Sequence, residues 1–148
     1  MADIRHRVGI TAPIAGVIEA LTTTEGIAGW WTRTVDGDAA EGGRLRFFFG
    51  QPEPSAEMDV TIADPAGHVR WQVVAGPDEW VGTYVDFACQ QSGDETVVLF
   101  THGDWRDEAE FMHHCSTKWG QFLVGMKAGF EGGKSIAFPD DPPISSWG

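Results

Sequence analysis

Phe111, Cys115, Trp119, Phe122, Leu123, Met126 and Phe130 recur at steps of three and four, so they fall on one stripe of a helix with about 3.6 residues per turn. This predicts a helix from Asp107 to Glu131, the longest element of the chain. Asp107, Glu108 and Glu110 sit where the helix dipole favours negative charge, and Gly132 and Gly133 follow where a left-handed cap forms most easily. Such a stripe needs a broad apolar surface to cover.

The preceding residues supply that surface. Ile4, His6, Val8 and Ile10 alternate with Asp3, Arg5 and Arg7, the period of two of a strand with one buried face. Thr11 then offers a capping hydroxyl and Pro13 suits a first helical turn, while Ile14, Val17, Ile18 and Leu21 mark the apolar face of a short helix. Thr24 to Thr32 begins with another capping residue, but Gly26 and Gly29 limit it to a brief helical turn presenting Trp30 and Trp31. From Arg33 to Phe100, short alternating runs broken by Gly, Pro and Asp predict an antiparallel meander. Leu45, Phe47 and Phe49 form one apolar row, Met58, Val60 and Ile62 a second, and Val69, Trp71 and Val73 a third. Asp64 to Gly67 reads as a tight turn and Gly76 to Trp80 as a longer connection. Two further strands, Val81 to Gln90 and Thr96 to His102, join through Ser92-Gly93-Asp94. Val81, Thr83, Val85, Phe87 and Cys89 share one face of the first; Val98, Phe100 and His102 share the matching face of the second.

This order implies an α+β fold: a curved antiparallel sheet of about six to seven strands wrapped around the long C-terminal helix, with two short helices after the first strand. We expect a single domain over residues 1–148, with 134–148 as an extended proline-rich arm over the surface. A sheet curled around one helix leaves room beneath it. Phe47, Phe49, Trp71, Phe87, Phe100, Phe111, Trp119 and Phe122 are the candidate walls of that space, and Trp30 and Trp31 either close one end of it or plug the core between helices and sheet.

Composition narrows the partners. Seven tryptophans and nine phenylalanines either fill a core or wall a cavity, and alternation does not distinguish the two. A formal charge of −12 argues against phosphate backbones and anionic lipid, so no nucleic acid and no membrane partner is expected. No run is long enough to span a bilayer. Cys89 and Cys115 fall on buried faces with no signal peptide before them, so a reduced cytoplasmic setting is expected.

Candidate chemistry is sparse. His102 shares the cavity parity of Phe100, where a histidine polarises a ligand carbonyl, moves a proton, or only satisfies neighbouring groups. Thr83 and Tyr84 are the other polar handles. His113 and His114 point about 100° apart on a helix, wrong for a shared metal, and nothing implies a cofactor. Cys115 lacks a neighbouring base and reads as a core residue or a wall. Glu57, Asp59, Asp86 and Glu95 read as solvated outer-face charges, with Arg70 and Gln72 of the same outward parity.

The stretches VRWQVVAGPDEWVGTYVDFACQ (69–90) and TVVLFTHGDW (96–105), with Cys115 and Trp119 on the final helix, resemble the START-like, or SRPBCC, superfamily. Within it they resemble the bacterial branch related to the carboxy-terminal domain of the heat shock protein 90 ATPase activator. The resemblance implies a helix-grip fold with a hydrophobic cavity; none of its motifs is a catalytic signature. Three readings follow. One is binding of a small hydrophobic or aromatic molecule in the cavity, with His102, Thr83 and Cys115 among the contacts. Another is a polyketide cyclase or dehydratase using His102. The last is an interaction domain with a chaperone partner. Ile144 and Trp147 on the tail are candidates for packing onto a second copy as a homodimer.

Overall fold

A computed structural model describes residues 1–148. Seven strands form one antiparallel sheet: β1 (Ala2–Ile10), β2 (Thr34–Gly37), β3 (Arg44–Phe48), β4 (Ala56–Asp64), β5 (His68–Ala75), β6 (Tyr84–Ser92) and β7 (Glu95–Trp105). Their spatial order is β1-β7-β6-β5-β4-β3-β2, so β1 closes one edge against the last strand and the rest is a meander. Helices α1 (Ile14–Thr22) and α2 (Thr24–Ala28) cross between the two edge strands, and α3 (Glu110–Phe130) lies in the concave face. The helix-grip expectation is met.

Register carries the alternating residues into rows across the concave face. Ile4 pairs with His102, His102 with Val85, Val85 with Trp71 and Trp71 with Val60; the next row runs His6, Phe100, Phe87, Val69. These rows and the α3 stripe meet in a core of 30 buried apolar residues. Polar clamps fix the helix along its length. His6 Nε2 donates to the Ser116 carbonyl at 3.0 Å, Trp119 Nε1 donates to His102 Nδ1 at 3.0 Å, and Lys127 Nζ donates to the Gly9 carbonyl at 2.7 Å.

Some boundaries and faces differ from the sequence reading. β2 goes unread because Val35 alone is half-buried in its four residues, too short a run for any period. A register shift at Thr61 opposes Ile62 to Arg70, so Ile62 leaves the buried face of Met58 and Val60. β7 runs on to Trp105 through a second shift, where Asp104 adopts φ +69° and its N–H donates to Asp3 Oδ1 at 3.1 Å. That bulge turns Trp105 back into the core three residues after His102. Val81 precedes β6 and is exposed, because residues 76–83 form a loop pinned by Arg106 to the Val81 and Asp78 carbonyls. Asp86 is buried rather than solvated: Arg70 Nε donates to it at 2.7 Å and His68 Nε2 lies 2.6 Å away.

The caps also shift. The α1 N-cap position is Pro13, and the Ile14 N–H is taken by Gln91 Oε1 at 2.8 Å rather than by Thr11. α2 is capped by Thr23, one residue earlier than read, with Oγ1 accepting from Gly26 at 2.9 Å. α3 starts at Glu110 and ends before Gly132, whose φ of +87° provides the expected left-handed turn. The tail is no free arm. Ala137 is fully buried, Phe138 forms a parallel bridge with Thr32, and the Phe138 ring packs 5.3 Å from Phe49.

Candidate functional site

A cavity of about 350 Å³ opens at the end of the grip where α3, the α2–β2 connection, the loop before β6 and the tail converge. α3 gives it Phe111, His114, Cys115, Lys118, Trp119 and Phe122, a single helical face at steps of three and four. Trp31 comes from beyond α2, Phe49 from the end of β3, and Pro77 and Trp80 from the loop before β6. Phe138, Asp141, Trp147 and Gly148 close it from the tail.

Its walls are stacked indoles. Trp80 and Trp119 lie 6.2 Å apart at 18°, Trp31 and Trp80 lie 6.5 Å apart at 24°, and Trp31 and Trp119 are 4.7 Å apart at 35°. Near-parallel aromatic faces accept another flat π system in an offset stack. The polar groups are few. The buried Trp80 Nε1 has no hydrogen-bond partner, and a buried donor left unpaired carries a desolvation cost that an acceptor on a ligand would remove. Lys118 Nζ donates to Asp141 Oδ2 at 2.6 Å and lies 5.2 Å from the Phe122 ring centroid. His114 sits between Phe111, stacked at 14°, and Trp147, edge-on at 5.5 Å; burial, and then the Lys118 charge, lower its pKa.

The structure divides the residues named from the sequence. Phe49, Phe111, Cys115, Trp119 and Phe122 line the cavity. Phe47, Trp71, Phe87 and Phe100 lie beneath it, fully buried and packed ring against ring: Phe47 to Trp71 at 5.6 Å, Trp71 to Phe87 at 5.1 Å, Phe87 to Phe100 at 5.4 Å. They belong to the filled core under the cavity. Tyr84 is on the opposite face of the sheet, with the Arg70 guanidinium 4.2 Å from its ring centroid, so it reaches no ligand in the cavity.

His102 and Thr83 are both fully buried behind Trp119 and Trp80. A tryptophan N–H only donates, so Nδ1 of His102 is the acceptor and the ring proton sits on Nε2. Nε2 then donates to Thr83 Oγ1 at 2.8 Å, and Thr83 Oγ1 donates to the Trp80 carbonyl at 2.6 Å. Every proton in this chain is spoken for. A second ring proton would oppose the Trp119 N–H, and burial pushes the His102 pKa down to about 3. Its placement is that of a neutral hydrogen-bond relay, reaching no space where a ligand proton could be transferred. Burial likewise pushes the Cys115 thiol up to about 12, and the Trp80 N–H, near the sulfur but outside hydrogen-bond geometry, offsets this only in part, so the thiol presents an un-ionised wall.

Trp31 closes the cavity, one of the two places read for it, while Trp30 is buried in the core; Trp80, His114, Lys118, Phe138, Asp141 and Trp147 complete the lining beyond the residues read from the sequence. His114 and Lys118 were within reach of the helical spacing, since they follow the stripe residues Phe111 and Cys115 by three positions. The others lie in loops and the tail, where neither period applies. No group of three or more His, Cys, Asp or Glu is placed to hold a metal. No helix is long and apolar enough to cross a membrane.

Comparison with known proteins agrees with this architecture. Among solved structures, the Aha1 dimer from Colwellia psychrerythraea is 38% identical, with a TM-score of 0.81, covering 91% of this chain and 100% of that one. SSP2350 from Staphylococcus saprophyticus is 17% identical, with a TM-score of 0.76, covering 92% of this chain and 97% of that one. CalU16 from Micromonospora echinospora is 19% identical, with a TM-score of 0.77, covering 97% of this chain and 75% of that one. At that identity the last two share the fold alone. No curated protein matches the sequence. Residues 11–131 match the family described as Activator of Hsp90 ATPase homolog 1-like protein, and the chain belongs to that family.

Proposed function

We propose that this protein binds a small, flat, predominantly apolar molecule in the cavity between α3, Trp31, Trp80 and the tail. The observation that carries this reading is the set of near-parallel indoles around a space of about 350 Å³, beside a buried Trp80 N–H with no partner. The core indoles of Trp71 and Trp105 also leave their N–H groups unpaired, so what sets Trp80 apart is that its ring borders the open space. The void volume falls within the range of small-molecule sites. The closed hydrogen-bond chain through His102 favours binding over proton transfer, because a general base must reach the proton it takes.

Tryptophan fluorescence titrated with an uncharged bicyclic aromatic, 2-naphthamide, tests the proposal, with Trp80→Phe as the comparison. Trp80→Phe keeps the apolar wall and deletes the donor, so affinity falls by about tenfold while the melting temperature holds. Equal affinity in the two proteins removes Trp80 from the site. No saturable quenching in the wild type removes the cavity reading.

A second copy of the chain is a proposed partner, supported by the dimer that the 38% identical relative forms. Sedimentation equilibrium checks it; a monomer mass at high micromolar concentration rejects it.

A further inference from the structure

Lys118 is the one ammonium lining the cavity, and its partner comes from the tail rather than from the body of the fold. The side chains of Lys118 and Asp141 retain only 14% and 11% of their exposure, so the pair is largely removed from water. The tail residues that reach the cavity, Phe138 to Gly148, lie outside the family-matched segment 11–131. Phe138 is anchored by backbone hydrogen bonds with Trp31 and Arg33 on one side and by its ring on Phe49 on the other. Beyond Arg33–Asp140, the strap meets α3 through Asp141 on Lys118 and the Pro142 carbonyl, which accepts from Gln121 at 2.8 Å. A carboxylate from the tail thus rests on a largely buried cation from α3 in the lining of an aromatic cavity.

Taking Asp141 away would leave Lys118 charged, largely buried and unpaired, which is costly. Another carboxylate on Lys118 Nζ removes that cost; a neutral molecule does not. Resting on the cavity being a ligand site, we propose that its ligand is an aromatic carboxylic acid whose carboxylate displaces Asp141 from Lys118 while its ring stacks on Trp80 and Trp119. Asp141 is the internal stand-in for the ligand's acid group, and the strap is the competitor that a ligand of the right chemistry removes. A lysine rather than an arginine suits the exchange, because a point charge makes no two-pronged clasp that must be undone. The formal charge of −12 opposes the approach of any anion, so added salt raises the association rate of the acid and leaves that of a neutral analogue unchanged.

The test is fluorescence titration of the full chain with 2-naphthoate and 2-naphthamide, the same ring with and without the charge. The amide does not compete with Asp141 for Lys118, so any effect of Asp141→Asn on its affinity is much smaller than the effect on naphthoate. The same substitution tightens naphthoate by about tenfold, the gain expected if Asp141 holds the cation about nine-tenths of the time. Lys118→Met, which keeps the apolar stem, abolishes the preference for naphthoate whether or not Asp141 is present. Asp141→Asn affecting both probes alike, or neither, overturns the exchange. So does a Lys118→Met protein that still prefers naphthoate. Binding of the amide without these charge effects sinks the exchange and leaves the cavity reading standing; binding of neither probe to any variant sinks both.

Discussion

Acidification is the sharpest perturbation of the relay through His102. In the folded chain its pKa is about 3, because burial removes the solvation that a charged imidazole needs; unfolded, it returns to about 6.5. Between these values the unfolded chain takes up a proton that the folded chain refuses, so this group's contribution is intact above about pH 6.5 and lost progressively as pH falls toward 3. Going from about pH 7 to about pH 5 costs about 2 kcal/mol through this residue alone. Urea unfolding of the wild type and His102→Gln at both pH values measures it. Glutamine offers one acceptor and one donor without titrating. Asp3, Asp59 and Glu131, whose hydrogen bonds and ion pairs hold their carboxyls below the usual range, contribute equally to both proteins and cancel in the comparison. The wild type therefore loses about 2 kcal/mol more than the variant over that interval, and imidazole nitrogen shifts at pH 5 report the neutral Nε2–H form. Equal losses in the two proteins, or a protonated ring at pH 5, would refute the relay.

Trp119→Phe keeps a ring in the cavity wall but orphans His102 Nδ1; it lowers the unfolding free energy by about 1–3 kcal/mol, and a variant as stable as the wild type rejects the bond. Cys89 and Cys115, both pushed up to about 12 by burial, stay unreactive toward a disulfide reagent at about pH 8 and react fully in denaturant; rapid native labelling of either contradicts their burial. A Cβ on Gly26 would lie 2.5 Å from the Glu19 carbonyl oxygen and 2.7 Å from Ala20 Cα, both backbone. Gly26→Ala thus forces α1 and α2 apart and lowers stability by about 1–3 kcal/mol in a melting experiment, whereas Gly82→Ala meets open space and costs only its left-handed backbone, about 1 kcal/mol.

The fold was legible where a period repeats. Alternation in β1, β3, β5 and β7 and the three-four spacing of α3 each extend over enough residues to separate an inner from an outer face, and the resulting sheet can bury them only around that helix. It failed where one residue changes parity. The shift at Thr61 takes Ile62 out of its row, and left-handed Asp104 brings Trp105 into the core, neither of which a strict count of two anticipates. Asp86 shows the same limit from another side: its outward parity was right, but Arg70 and His68 from the neighbouring strand cover it, and cross-strand partners are set by register. The site was legible only in its α3 face. Phe47, Trp71, Phe87 and Phe100 have the pattern of cavity walls and are core, because alternation says which side of the sheet a ring occupies and not whether another ring fills the space above it.

The deep core and the cavity are nevertheless mechanically one unit, and His102 is the joint. Trp119 spans both: one side of its ring meets Phe100 in the core at 4.7 Å, and its stack with Trp80 forms the cavity wall. Its N–H is held by His102, and the same histidine, through Thr83, holds the backbone carbonyl of Trp80. Directional hydrogen bonds therefore set the two indole planes that a ligand would meet, at a cost in buried polar groups that an apolar core would not carry. Uncommitted imidazole would be needed for chemistry, and this one is fully committed to geometry. A polar chain buried at the back of an aromatic wall orients Trp80 and Trp119 together, and this accounts for the most buried histidine in the chain standing directly behind the cavity without opening into it.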